Sequence, residues 1–209
     1  MKNAAPCLFL LFPLFAACQD APSASLAAVD AAPPAPLPVT APVHPLAVLV
    51  DSLRINTATV RFHVDKSDRR FEVHAKLPTG QDTLLKTYPC VLGEKPVGDK
   101  FHQGDRKTPE GTFGFRSKRV HNDWHKFIWV DYPNAESWKR YKERQQQGLI
   151  PAGKDIGGEI GIHGVPDGMD HWIDAGQDWT WGCIALKNAD VDEIYPYITT
   201  GKTTMEVVP

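Results

Sequence analysis

The chain has few cysteines, no long apolar run and no surplus of either charge, and each shortage removes a class of protein. Four cysteines are spread over 209 residues. Two of them, Cys7 and Cys18, fall in an N-terminal leader, which leaves Cys90 and Cys183. Two thiols are too few for a disulfide framework, although they could form a single bond. Lys and Arg number 23 against 25 Asp and Glu, a formal net charge of −2. There is no basic run of the kind nucleic acid selects for, so nucleic acid is not an expected partner. The apolar stretch Leu8 to Ala17 is shorter than the ~20 residues a helix needs to span a bilayer. A zinc set of His163, His171 and Cys183 matches no compact ligand spacing, and neither a metal nor another cofactor is expected.

What the leader does have is the layout of an export signal over residues 1–18. Lys2 supplies the positive end, the apolar stretch follows, and Ala16-Ala17 stand just before Cys18. A cysteine straight after two alanines resembles a lipoprotein box, in which Cys18 becomes the lipidated first residue. Phe15 stands where such boxes prefer Leu, and an ordinary cleaved signal with an incidental cysteine is the alternative. Gln19, not Asp, follows Cys18, which tilts a lipidated chain toward the outer rather than the inner membrane. The expected location is the periplasm, with the membrane reached through Cys18. Residues 19–45 carry seven prolines and eight alanines and no periodic apolar face. They read as a solvated spacer that would reach about 80 Å at ~3.1 Å per residue. Residues 46–209 then form one domain, long enough for a core.

Alternating strand patterns dominate that domain. Thr59 to Asp65 and Arg70 to Leu77 alternate around the short turn Lys66-Ser67-Asp68, which predicts a hairpin. A third strand runs over Leu84 to Leu92, where Pro89 suggests an edge or a bulge. After a polar loop, Gly93 to Gly111, strands are predicted over Thr112 to Val120 and Lys126 to Asp131. Asn134 caps a helix over Ala135 to Gln147, and Gly148 stops it. Short strands at Glu159 to His163 and Cys183 to Leu186 follow. Asn188 caps a second helix, Ala189 to Tyr195, and Thr203 to Val208 is a last strand. This is a mostly β fold with peripheral helices.

The chemistry rests on His163 and Cys183. A thiol of pKa ~8.5 needs a base to become a nucleophile, and a histidine of pKa ~6.5 is the usual one. Each residue borders a short strand, so neighbouring strands could bring them together. The amide of Cys183, with that of Gly182 or Trp181, could then face a developing oxyanion. Spacing alone leaves a structural cysteine beside an unrelated histidine as the competing reading.

His163, a gap of 16 residues, and then Thr180-Trp181-Gly182-Cys183-Ile184 resemble the signature of the YkuD-type L,D-transpeptidases of bacterial cell walls. Pro96 to Lys100 and then Gly104 to Lys107 followed by Thr108-Pro109-Glu110-Gly111-Thr112-Phe113 are similar to an extended version of that family's TPxGxF segment. Asp178 to Ala185 resembles a subset with Asp-Trp-Thr-x-Gly-Cys-Ile-Ala. Trp181 replaces a common second histidine, and Ala185 stands where Arg or Asn is frequent. The resemblance covers about residues 55–209 and implies a β-sandwich or mixed-sheet catalytic domain. It implies Cys183 as nucleophile, His163 as general acid and base, the Gly164 carbonyl as the group orienting the imidazole, and Gly182 in the oxyanion hole. The implied substrates are peptidoglycan stem peptides, and the implied acyl acceptor is another stem, an anchored lipoprotein or a free D-amino acid. With water as acceptor the same machinery is a carboxypeptidase, endopeptidase or amidase. A module that binds the wall without catalysis is the rival of another class.

Arg106, His171 and Trp181 are candidate substrate-binding residues, each with a solvated or packed alternative. Asp178 is a candidate partner for His171 or a cap of its loop. Cys90, at the end of an apolar strand, reads as a small core residue, and two free thiols are predicted.

Overall fold

The structure is a computed structural model that describes residues 44–209, so the leader and nearly all of the spacer lie outside the described residues. Nine strands and four α-helices follow in chain order: α1 Leu46–Ser52, β1 Arg61–Asp65, β2 Arg70–Lys76, β3 Asp82–Pro89, β4 Gly111–Phe113, β5 Phe115–His121, β6 His125–Val130, α2 Ala135–Gln146, β7 Gly161–His163, α3 His171–Asp174, β8 Ile184–Ala185, α4 Asn188–Ile194 and β9 Met205–Val208.

The strands form two sheets, β3-β2-β1-β9-β4 and β5-β6-β7-β8. Only β1–β9 and β7–β8 pair in parallel. The alternation that marks β1 and β2 in sequence buries Phe62, Val64, Phe71, Val73 and Ala75 on one face. Those side chains join Phe115, Ile128, Val130, Ile162 and Ile184 of the second sheet in one core. The Phe62 and Phe115 rings meet edge to face across it, 6.0 Å between centroids. The fold is thus a mixed β-sandwich with helices at its periphery.

Pro89 is the last residue of β3, an edge strand, and a register shift falls between Val73 and His74 of its partner. The predicted strand over 112–120 is two strands. Gly114 interrupts it, so β4 pairs with β9 while β5 pairs with β6 in the other sheet. Asn134 accepts from the Ser137 N–H at 3.0 Å and caps α2 as expected. Asn188 does not cap α4. It is the helix's first residue, and its Oδ1 accepts from the Val165 N–H at 2.8 Å. The Asn188 N–H donates instead to Asp170 Oδ1 at 3.2 Å. Helices α1 and α3, absent from the sequence reading, are both short.

The loop from Gly93 to Glu110 has almost no ladder of its own, and buried charges hold it instead. Lys66 Nζ donates to Gly98 O, Thr108 O and Glu110 Oε1 at 2.7, 3.1 and 2.8 Å. Asp99 Oδ2 accepts from Arg140 and Arg144 of α2 at 2.9 and 2.7 Å. Lys100 Nζ pairs with Asp105 Oδ1 at 2.7 Å. These contacts position the side of the loop that meets the cysteine.

Candidate active site

Strand alternation decides where the histidine and the cysteine point. In the β7–β8 register Ile162 lies opposite Ile184, and His163 opposite Ala185. Ile162 and Ile184 face the main core. His163, Ala185 and, one step before β8, Cys183 therefore face the outer side of the second sheet. Histidine and cysteine come from adjoining parallel strands, on the same face, two residues apart in register.

Aromatic rings box the imidazole. Phe127, the ladder partner of His163 in β6, stacks on it at 5.7 Å with a 7° interplanar angle. Trp124 stands at 5.2 Å and Trp179 at 5.7 Å. The residue is 4% exposed. Its Nδ1 lies 2.7 Å from Gly164 O. Because a carbonyl can only accept, Nδ1 carries a proton, and in the neutral ring Nε2 keeps its lone pair. Burial pushes the imidazole pKa down to about 4, against the pull of the Gly164 carbonyl and with help from the His121 charge.

The Cys183 sulfur is half-buried, and its Sγ lies 3.5 Å from Glu159 O, to which the thiol donates. Burial pushes the thiol pKa up to about 11; the Gly161 N–H and the Lys100 ammonium oppose that, and the Glu159 charge adds to it. Near neutral pH the pair is a thiol and a neutral imidazole, not a preformed thiolate and imidazolium.

Close approach explains two glycines. A Cβ on Gly161 would meet the Phe127 ring at 2.3 Å, and one on Gly182 would meet Lys107 O at 2.6 Å. Gly182 also has φ 128°, which an L side chain rarely adopts. The backbone ahead of the nucleophile therefore lies directly on the 93–110 loop.

Each neighbour of Cys183 in the motif has its own task. Asp178 forks onto Arg69, at 2.7 Å to Nη2, and accepts from the Leu92 N–H at 2.8 Å. It pairs with Arg69, so the candidate pairing with His171 is not formed. Trp179 covers His163. Thr180 Oγ1 donates to Cys183 O at 2.7 Å and accepts from the Gly182 N–H at 3.1 Å. The Gly182 amide, expected as an oxyanion donor, is thus committed to Thr180. The Cys183 N–H has no hydrogen-bond partner among the described residues and remains available.

The candidate substrate-binding residues separate. Arg106 and Trp181 come together, the guanidinium carbon 4.3 Å from the indole centroid. His171 stands apart on α3, exposed, its ring 6.2 Å from Trp172, which packs on Trp179 rather than on the histidine base. Ala185 is fully buried. Cys90 is buried as expected, and both cysteines are free. Among the described residues no cluster of three or more His, Cys, Asp or Glu side chains is arranged to hold a metal ion. Sequence reasoning missed Trp124, Phe127, Gly161 and the Glu159 carbonyl. The β6–β7 register reveals Phe127 and Gly161, while Trp124 comes from the turn before β6 and Glu159 from the segment before β7.

A β-sandwich that carries a histidine and a cysteine on one outer face from adjoining strands, with a free amide at the cysteine, has the architecture of a cysteine-centred site. The chain belongs to the YkuD family, the L,D-transpeptidase catalytic domain, whose family model matches residues 59–207. YafK of Escherichia coli (strain K12), named as a candidate L,D-transpeptidase, is 25% identical over 142 residues, 67% of this chain and 47% of YafK. The chain spans about half the length of the curated relatives it matches. Solved structures share the fold, among them the two that follow. Pgp2, the helical cell shape determining protein of Campylobacter jejuni, aligns at TM-score 0.52 and 22% identity over 78% of this chain and 54% of its own. Bd1075 of Bdellovibrio bacteriovorus aligns at TM-score 0.51 and 20% identity over 72% and 48%.

Proposed function

We propose that this chain is an exported cysteine acyltransferase that acts on peptidoglycan stem peptides and is tethered to a membrane through Cys18. One observation carries the chemistry: His163 and Cys183 face the same way from adjoining strands, with Nδ1 tied to Gly164 O and Nε2 left with its lone pair. Cys183 Sγ attacks the carbonyl of the third stem residue as its proton passes to His163 Nε2. The negative charge on the carbonyl oxygen is met by the Cys183 N–H. When the tetrahedral species collapses, the C–N bond breaks and His163 returns the proton to the departing D-alanine amine. An acceptor amine then attacks the thioester and gives its proton to His163, and the thiol reforms. Stem amines and an anchored lipoprotein's lysine suit this step, and water would complete a hydrolysis by the same path.

Purified protein with sacculi should release D-alanine and yield either new 3–3 crosslinks or, with water as acceptor, shortened stems. A carbapenem should leave one covalent adduct on the wild type, seen by mass spectrometry, and none on Cys183→Ala. An undiminished adduct on that variant, or sacculus binding without any change in muropeptides, would overturn the assignment. His163→Ala should fold, as judged by circular dichroism, and lose turnover.

A further inference from the structure

Within Asp178 to Cys183, every side chain but one is tied to the fold or to the chemistry. Trp181 is the exception: it is 73% exposed. An indole so placed, next to Gly182 and the nucleophile, has no packing role to explain it. The backbone on either side of it is nevertheless fixed. Thr180 before it is buried and fixed by two hydrogen bonds, and Gly182 after it lies on Lys107 O. What the indole faces is Arg106, whose guanidinium carbon sits 4.3 Å from the ring centroid. Arg106 has φ 60°, a left-handed conformation rare for its residue type, and its carbonyl accepts from the Lys95 N–H at 3.1 Å. The strain is held by the same loop that carries Asp99 and Lys100. Arg106 Nη1 donates to Glu94 Oε1 at 2.8 Å, and its other donors have no partner among the described residues.

We propose that the Arg106–Trp181 stack is a specificity subsite that reads the free carboxylate of the amino acid leaving from the donor stem. This rests on the acyl-transfer reading above. Distance favours this carboxylate. Trp181 and Cys183 are two residues apart, so their Cα atoms lie at most about 7 Å from each other. The leaving residue's carboxylate is separated from the attacked carbonyl carbon only by its own N and Cα. Of the carboxylates a stem carries, this one is the fewest bonds from the attacked carbonyl, and the stacked guanidinium stands on the ring of the residue two positions before the sulfur. Chemistry favours it too. A planar fork with open donors matches a carboxylate two bonds at a time, and stacking on the indole pre-sets the plane of the fork. Glu94 holds one edge of the guanidinium and leaves the others to the ligand. Ala185, fully buried, has nothing to offer such a group.

The test compares two donors, a tetrapeptide stem ending in D-alanine and the same stem ending in D-alaninamide, with release followed by mass spectrometry. Wild type should prefer the acid. In Arg106→Gln that preference should fall by about tenfold to a hundredfold, the scale of a lost charge-assisted pair, chiefly through KM. Arg106→Lys should restore part of it, because charge survives and the fork does not. Trp181→Ala, which removes an exposed ring and leaves the core intact, should lower it with Arg106 still present, and it covers the case in which Arg106→Gln fails to fold. Equal losses on acid and amide in these variants, or a wild type indifferent to the two, would overturn the subsite. A wild type that releases neither product would instead defeat the acyl-transfer reading, and the subsite with it.

Discussion

At His163 and Cys183, burial sets both protonation states, and it sets them against a resting ion pair. The thiol is pushed up to about 11 and the imidazole down to about 4. Between those values the proton stays on sulfur, which donates it to the Glu159 carbonyl. In the proposed acyl transfer, the thiol turns from that carbonyl toward Nε2 when substrate binds. Iodoacetamide should therefore alkylate Cys183 of the substrate-free protein roughly twentyfold to a hundredfold more slowly than free cysteine at pH 8. The rate, read by intact mass, should still climb about tenfold per unit at pH 9. A plateau below pH 7 would mean a preformed thiolate. The histidine also ties stability to pH. Its folded pKa is depressed, so the unfolded chain binds the proton more readily between about 6.5 and about 4. The stability in question is present above pH 6.5 and is lost as pH falls through 4, about 3 kcal/mol in all. Asp190, raised to about 6 by burial, works in the opposite sense over part of that window. The comparison that isolates the histidine is His163→Gln against wild type by urea unfolding at pH 7.5 and pH 4.5. The variant should lose less stability on acidification.

At the scale of elements, the site is a product of the register of three short strands. The strand β7 brings His163 under Phe127 of β6 and beside β8, and Gly161 leaves the space that the Phe127 ring fills. Gly161→Ala puts a methyl group 2.3 Å from that ring and 2.9 Å from Ile128 O. It should cost about 1–3 kcal/mol as an overpacked site and tilt the ring that stacks on His163. Turnover should fall more than stability explains, by kcat measured well below the melting temperature. The strands themselves were legible because alternation is a local signal, as in Arg61 to Asp65 and Arg70 to Lys76. The break at Gly114 was not, since Thr112 to Val120 alternates passably and only the two different partner strands separate β4 from β5. Asn188 looked like a cap because caps are local, yet its side chain was taken by Val165, which no spacing reveals. His163 and Cys183 were legible from a motif. The Trp124, Phe127 and Trp179 box was only partly so, because Phe127 arrives through ladder pairing and Trp124 from the turn before β6, neither through sequence neighbourhood.

Across the whole molecule, the main core and the chemistry occupy opposite faces of the second sheet, and the outer face has only a smaller buried cluster of Val91, Val165, Ile173 and Ala185 behind the site. Buried charges on the 93–110 loop add to what that cluster and the aromatic box provide: Lys66, Asp99 with Arg140 and Arg144, and Lys100 with Asp105. That loop carries the Lys107 carbonyl on which Gly182 rests and the Arg106 that meets Trp181. Lys66 is the clearest case, because its ammonium has three acceptors for three protons, two of them main-chain carbonyls from different parts of the loop. Lys66→Met would strand the Glu110 carboxylate and two carbonyls away from a donor. Breaking a buried pair from one side costs about 3–5 kcal/mol, and an unsatisfied carbonyl adds about 1–3 kcal/mol. Removing both charges is cheaper than removing one, so Lys66→Met with Glu110→Gln should recover about 1–2 kcal/mol of the loss but not all of it, since the carbonyls of Gly98 and Thr108 stay unpaired. Urea unfolding of the two single variants and the double variant measures this directly. A Lys66→Met cost below about 1 kcal/mol would mean that the loop stands without its clamp. The same variants should show a site consequence. Where Lys66→Met is still folded, the carbapenem adduct on Cys183 should form more slowly than in wild type, because the surface that backs Gly182 has lost its anchor while His163 and its box are untouched.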